Sequence, residues 1–323
     1  MATRSILTGV GAYLPERAVS NDELARSVET SDEWIRERTG IRQRYIAAPH
    51  ETAAFMATAA ARGALADAGA EPAEVDAIIL ATSTPDQAFP ATALRVQAAL
   101  GVAGGFGFDI AAACAGFIYA LSVADSMIRT GQARGALVIG SEVYSRILNW
   151  QDRGTCVLFG DGAGAVFLRA CKGGGSIDRG ILSTHLHAQG SLGDILYVDG
   201  AVGRQDKPGY LVMNGREVFR QAVVRLAEAV EEALAANGLT QRDIDWLVPH
   251  QANRRIIDAM GRKLGLLPER VVITVDRHAN TSAASVPLAL AEARQDGRIR
   301  NGDLVLMEAL GGGLAWGSAL VRM

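Results

Sequence analysis

The feature that most constrains the fold is an internal repeat. The stretch ALADAGAEPAEVDAIILAT (64–82) aligns without a gap on ALAANGLTQRDIDWLVPHQ (233–251), at an offset of 169 residues. A second pair, RGALVIGSE (134–142) and NGDLVLMEA (301–309), matches at an offset of 167, and FDIAAAC (108–114) then falls opposite VDRHANT (275–281). In each unit a helix end leads through a turn into a short apolar strand. Strands at 77–81, 136–140, 246–249 and 304–308 are continuous apolar runs, the pattern of sheet covered on both faces. They alternate with helical stretches at 51–68, 114–130, 216–236 and 253–264. This order predicts an α/β fold of two similar halves, residues 1–171 and 172–323, each with a mixed sheet, packed around a shared centre.

Composition narrows the function. A net charge of -3 lacks the basic excess of a nucleic-acid binder, so no nucleic-acid partner is expected. The apolar run between Asp109 and Asp125 is 15 residues, too short to cross a membrane, and fits a buried helix. The first twenty residues hold no sustained apolar segment and meet Pro15 early, which predicts a cytoplasmic protein without a signal peptide. Cys114, Cys156 and Cys171 lack the spacing of a metal site or a disulfide framework, so no metal is expected and the thiols suit a reducing compartment.

Three segments carry candidate chemistry. Cys114 stands at the head of a predicted helix, where backbone N–H groups and the helix dipole lower a thiol pKa. The same residue also reads as a small buried hydrophobe. Cys156 and Cys171 sit in or beside apolar strand-like runs and read as core. WLVPHQANRRI (246–256) places His250, Gln251 and Asn253 after a strand, and VDRHANTSAASVPLAL (275–290) does the same with His278, Asn280 and Thr281. Functional groups in α/β sheets gather at such carboxyl ends.

The glycine-rich pieces are ambiguous. FGDGAGAVFLRA (159–170) contains G-x-G-x-x-A but runs into a strand pattern, which predicts a tight hairpin rather than a dinucleotide loop. ALGGGLAWGSALV (309–321) offers either a backbone cradle or a turn between the last strands. In SDEWIRERTGIRQRY (31–45), Trp34 with Arg36, Arg38, Arg42 and Arg44 suits adenine stacking and phosphate pairing, or a solvated helix face.

Taken in order, GAYLPE, DEWIRERTGIRQR, DIAAACAGFIYAL, GDGAGAV, PHQANRRI, DRHANTSAASVPLAL and GGGLAWGSALV resemble β-ketoacyl-acyl carrier protein synthase III over nearly the whole chain. That family comprises the initiating condensing enzymes of type II fatty-acid synthesis, within the thiolase superfamily. The resemblance implies the duplicated, five-layered α-β-α-β-α thiolase-like fold. It implies an acyltransferase in which Cys114 takes the acyl group of an acyl-CoA, usually acetyl-CoA. His250 and Asn280 then stabilise the enolate formed as malonyl-acyl carrier protein loses carbon dioxide, and the carbanion attacks the acyl-cysteine. Backbone N–H groups of Cys114 and Gly312 form the implied oxyanion hole.

By the same resemblance, Trp34, Arg38 and Arg153 line the CoA entrance, with the adenine held between Trp34 and Arg153. Thr39, Gly215, Phe219, Ala252 and Asn253 line the pantetheine tunnel. Arg220, Arg255 and Lys263 dock the acidic carrier protein. The implied assembly is a homodimer, with Phe89 of one subunit reaching the acyl pocket of the other beside Leu310. No cofactor is implied, coenzyme A thioesters being substrates.

Departures concern the primer. Leu310 stands where acetyl-specific members have Phe, Leu314 replaces an aromatic residue, and Gln87 stands where many have His. A related condensing enzyme of secondary metabolism, using a longer or branched primer, is the alternative. A papain-like hydrolase shares the order Cys, His, Asn, but the C-G-[SA]-C-[WY] signature is missing. A non-catalytic acyl-CoA binder would need none of the three residues.

Overall fold

The computed structural model describes residues 3–172, 179–204 and 206–323. Strands β1 (Thr3–Tyr13), β2 (Ala77–Ala81), β3 (Phe106–Ile110), β4 (Gly135–Glu142) and β5 (Gly162–Lys172) form one sheet, in the order β1-β5-β4-β2-β3. Strands β6 (Gly180–Ala188), β7 (Trp246–Pro249), β8 (Leu304–Gly311) and β9 (Ala315–Arg322) form a second, in the order β7-β8-β9-β6. Pairing is parallel for β2 with β4 and for β7 with β8. It is antiparallel for β4 with β5, β5 with β1, β8 with β9, and β9 with β6. Four consecutive strands of the first sheet therefore have counterparts in the second, with the same neighbours and directions. The aligned segments 77–81 and 246–249 became β2 and β7, and the other aligned pair became β4 and β8.

Among the described residues, seven helices of eight or more residues complete the fold: α1 (Asp32–Thr39), α2 (Ala53–Asp67), α3 (Thr92–Leu100), α4 (Gly116–Arg129), α5 (Gly215–Ala236), α6 (Arg254–Lys263) and α7 (Ser285–Gln295). Packing defines the layers. One buried cluster joins α4 and α7 to inward residues of both sheets, among them Ile79, Val138, Val248 and Met307. A second places α2 and α3 against the outer face of the first sheet, through Ile78, Leu80 and Leu137. A third places α5 and α6 against the outer face of the second, through Leu304, Leu306 and Leu320. The result is the five-layered α-β-α-β-α arrangement of the thiolase-like class.

Alternation along β2, with Ala77, Ile79 and Ala81 inward and Ile78 and Leu80 outward, is the period of two that a doubly covered strand requires. Phe117 on α4 is fully buried in the central layer. Its truncation to Ala costs about 3–5 kcal/mol.

Two expectations need correction. The glycines of GDGAGAV make no hairpin, because β4 and β5 are joined by residues 143–161, and Gly162 and Gly164 lie within β5. Their smallness serves packing: a Cβ on Gly164 would sit 2.6 Å from Leu288 N, so glycine lets α7 press onto the sheet. Cys156 is core, as expected, but closes the short helix Arg153–Cys156 rather than flanking a strand.

Candidate active site

The three residues singled out from separate motifs line one cavity of about 1460 Å³. Cys114 follows β3 and lies in a 3-10 turn, Ala113–Ala115, ahead of α4. The predicted helix therefore begins two residues later than expected, at Gly116, and Cys114 stays at its head. Alanine and glycine surround it because space is short. A Cβ on Gly116 would lie 2.9 Å from Ala81 Cβ, and one on Gly311 would lie 2.5 Å from Cys114 N.

His250 follows β7, where its N–H donates to Glu308 O at 2.8 Å and extends the parallel ladder. Asn280 is fixed through its backbone: its N–H donates to Leu158 O and its carbonyl accepts from Gly160 N, both at 3.0 Å. Gly312, in the turn between β8 and β9, lines the same cavity.

Side-chain contacts set the polarity. His250 Nδ1 lies 2.6 Å from Ser285 Oγ, and that oxygen also accepts from Gln251 N at 3.3 Å. A ring that accepts the Ser285 proton at Nδ1 carries its own proton on Nε2, the tautomer that donates away from Ser285. Burial pushes the His250 pKa down to about 3, so the ring is neutral. Asn280 Oδ1 accepts from Ser282 N at 2.8 Å, which leaves its NH2 group to donate. With His250 in that tautomer, it and Asn280 present two neutral donors to the cavity that holds Cys114.

The thiol departs from expectation. Its pKa is pushed up to about 12: burial is the largest cause, the Glu142 carboxylate adds to it, and hydrogen bonds from Ser282 and from its own backbone N–H act in the opposite sense. Loss of water outweighs the helix head.

At the mouth, Trp34, Arg38, Thr39, Arg153, Gly215, Phe219, Ala252 and Asn253 all line the cavity, as does Leu310 deeper in. The guanidinium carbons of Arg38 and Arg153 each lie 4.9 Å from the centroid of a Trp34 ring. Arg153 also donates to Glu29 O at 3.0 Å. Its contact with Trp34 is direct, so a base between the two requires Arg153 to swing aside. Asn253 has a second task as N-cap of α6, its side chain accepting from Arg255 N and Ile256 N.

Other candidates lie elsewhere. Arg255 lines the mouth and donates to Glu37 O, whereas Arg220 on α5 pairs with Glu217, and Lys263 ends α6; neither of these two lines the cavity. Phe89 is 83% exposed and outside this chain's cavity. Gln251 and His278, raised by the same motifs, do not line it either. The buried Gln251 amide bonds Pro249 O, Val272 O, Thr274 N and Val275 N, tying two loops together. His278 faces Glu292.

Sequence reasoning missed Ser83 and Tyr144, which line the cavity, and Glu142 and Ser282 behind them. The one available signal was a charged residue ending the apolar strand RGALVIGSE. Among the described residues no group of three or more His, Cys, Asp or Glu is placed to hold a metal ion. No described helix is long and apolar enough to cross a membrane.

Comparison with known proteins points to one family. Residues 108–190 match the family model of 3-oxoacyl-[acyl-carrier-protein] synthase III, and residues 234–323 match that of its C-terminal part. A β-ketoacyl-[acyl-carrier-protein] synthase III from Acidiphilium cryptum is 72% identical over 99% of both chains. One from Granulibacter bethesdensis is 68% identical, again over 99% of both. The crystal structure of 3-oxoacyl-[acyl-carrier-protein] synthase III from Aquifex aeolicus is 47% identical, with a TM-score of 0.93 over 99% of this chain and 100% of that one. With such similarity along its whole length, this chain belongs to the β-ketoacyl-[acyl-carrier-protein] synthase III family.

Proposed function

We propose that the protein condenses an acyl-CoA primer with malonyl-acyl carrier protein, giving a β-ketoacyl-acyl carrier protein, carbon dioxide and CoA, and so initiates fatty-acid synthesis. The observation that carries this reading is the meeting of one thiol and two neutral donors in a cavity with an arginine-flanked tryptophan at its mouth.

Cys114 attacks the acyl-CoA carbonyl and releases CoA, leaving a thioester on the enzyme. The N–H groups of Cys114 and Gly312 receive the oxyanion of each tetrahedral intermediate. The malonyl thioester then enters, and His250 and Asn280 donate to its carbonyl as the carboxylate departs. Neutral donors suit this step, because a charged imidazolium would bind the malonyl carboxylate and hold it back. The carbanion attacks the acyl-cysteine and the product leaves on the carrier.

Trp34, Arg38 and Arg153 receive the CoA nucleotide, and Thr39, Gly215, Phe219, Ala252 and Asn253 flank the pantetheine arm. Neither half-reaction needs a cofactor or metal. Arg255 and Lys263 belong to α6, whose basic residues also include Arg254 and Arg262, a charge suited to an acidic carrier; Arg220 extends that patch from α5. The edge of the first sheet supports a homodimer: among the described residues β3 pairs on one side only, and Phe89 stands exposed. We place Phe89 in the partner's acyl pocket, beside Leu310. Residues 1–171 and 172–323 then act as one catalytic unit, with the thiol from the first half and both donors from the second.

The test separates the half-reactions. His250→Ala and Asn280→Ala are expected to slow carbon dioxide release from malonyl-carrier protein by about 10²–10³-fold, the cost of a lost oxyanion donor, while acylation of Cys114 suffers much less. Equal loss of both steps would contradict the assignment.

A further inference from the structure

Four arginines accompany Trp34 in SDEWIRERTGIRQRY, and only Arg38 of them lines the cavity. Arg44 is instead fully buried, on the strand Gln43–Ile46. Burial lowers its pKa to about 10, so the guanidinium keeps its charge at neutral pH. A buried charge is costly unless it is well partnered. Among the described residues its hydrogen-bond partners are all neutral. Nη1 donates to Asn21 Oδ1 at 2.8 Å and to Val19 O at 3.3 Å, and Nη2 donates to Val157 O at 2.9 Å. The two nitrogens grip different segments of the chain, which a hydrophobic side chain of similar volume could not do.

Those segments lead to the two sides of the mouth, where Arg153 meets Trp34. On one side, Asn21 Nδ2 donates to Asp32 Oδ1 and to Ile41 O, both at 2.8 Å. Asp32 opens α1, the helix of Trp34, Arg38 and Thr39. On the other side, Val157 ends the short helix Arg153–Cys156, and Leu158 and Phe159 after it line the cavity. Asn280 hangs on this second segment. Its N–H donates to Leu158 O and its carbonyl accepts from Gly160 N, both at 3.0 Å, with Phe159 as its bridge partner.

The strand that carries Arg44 also holds the far end of that segment. Tyr45 O accepts from Asp161 N at 2.9 Å, and the Asp161 carboxylate accepts from Ala47 N at 2.8 Å. Gly160 lies between, where a Cβ would sit 3.0 Å from His278 O and 3.2 Å from Arg44 Cβ. Residues 157–161 are therefore clamped between the Gln43–Ile46 strand and the loop of Asn280, with no room to shift alone. Arg44 supplies the hold at the Val157 end.

We propose that Arg44 is a positioning residue for decarboxylation: through residues 157–160, its guanidinium sets where the Asn280 amide stands against the malonyl thioester carbonyl. The proposal rests on the role given to Asn280 above. Arg44 itself touches no substrate. Its planar fork reaches Asn21 and Val157 at once, whereas a lysine ammonium is a single point donor and cannot replace it.

Arg44→Met fills most of the same space without a donor. Carbon dioxide release from malonyl-carrier protein should fall about 10-fold or more, since misplacing a group by about 1 Å costs up to about 10²-fold. Acylation of Cys114 at saturating acetyl-CoA does not use the Asn280 amide and should change less than about threefold. A double-mutant cycle separates positioning from a general softening of the fold. In the Asn280→Ala background, Arg44→Met should cost less than about twofold in carbon dioxide release, because the donor it places is already gone.

Arg44→Lys keeps the charge and should show the same pattern, and it carries the test if Arg44→Met does not fold. Either variant releasing carbon dioxide at the wild-type rate, losing both half-reactions equally, or adding its full cost to Asn280→Ala overturns the positioning role. Asn280→Ala alone releasing carbon dioxide at the wild-type rate overturns the role of Asn280, and this proposal with it.

Discussion

Ala113 and Ser282 occupy corresponding points of the two halves, 169 residues apart instead of the 167 given by aligning FDIAAAC with VDRHANT, and both hold a left-handed backbone, φ 44° and 50°. Each opens a 3-10 turn that leads into a central helix, α4 at Gly116 or α7 at Ser285, at the same offset. In the first half this turn carries the thiol of Cys114. In the second it carries the hydroxyl of Ser282, and the two turns pack against each other. Duplication has brought two helix heads to one point and given them different chemistry.

A left-handed alanine is strained, because its Cβ crowds the following carbonyl oxygen. Ala113→Gly removes that crowding, although it also frees the unfolded chain. Urea unfolding is expected to show a gain of up to about 1 kcal/mol. A loss of stability would mean that the Ala113 methyl packs more usefully than its backbone suffers.

Leu310 is buried on β8 and lines the cavity. A larger ring there shortens the acyl pocket. Leu310→Phe should keep acetyl-CoA as primer and lose kcat/KM for isobutyryl- and longer acyl-CoA by about 10-fold or more, within the range of pocket-size discrimination. A primer panel with malonyl-carrier protein measures it, and an unchanged ranking would remove Leu310 from primer choice.

The repeat made the fold legible, because a buried parallel strand has a distinctive apolar run and its spacing recurs. The members of the site were legible as motifs, but of His250 and Asn280 only His250 follows a strand as expected; among the described residues Asn280 follows the short helix Val275–His278 instead of a strand. What the sequence concealed were groups whose meaning depends on contacts across the molecule. Glu142 and Ser282 are 140 residues apart and reveal themselves only when hydrogen-bonded. The thiol's pKa was misread for the same reason. A helix head is visible in sequence, whereas the burial that outweighs it comes from distant segments. GDGAGAV misled because glycines that admit a helix against a strand look like glycines that turn a chain.

Glu308 is fully buried on β8, and among the described residues neither carboxyl oxygen has a hydrogen-bond partner. Burial pushes its pKa up to about 8. The folded protein therefore binds this proton more tightly than the unfolded chain, whose carboxyl titrates near its ordinary 4.5. The stability from this linkage is whole below that value and is lost as pH rises towards 8, by up to about 1.4 kcal/mol per pH unit. Glu308→Met removes the slope. Its Tm should exceed that of the wild type by more at pH 8 than at pH 5, and an equal difference at both would contradict the linkage.

The central claim is that Cys114 carries the acyl group. Intact-protein mass spectrometry after mixing with acetyl-CoA alone, followed by peptide mapping, tests it directly. The account predicts one added acetyl group per chain, located on Cys114 and absent from Cys114→Ala, which should also lose condensation. A protein that stays unmodified with acetyl-, isobutyryl- and octanoyl-CoA, or is acylated elsewhere, would contradict it.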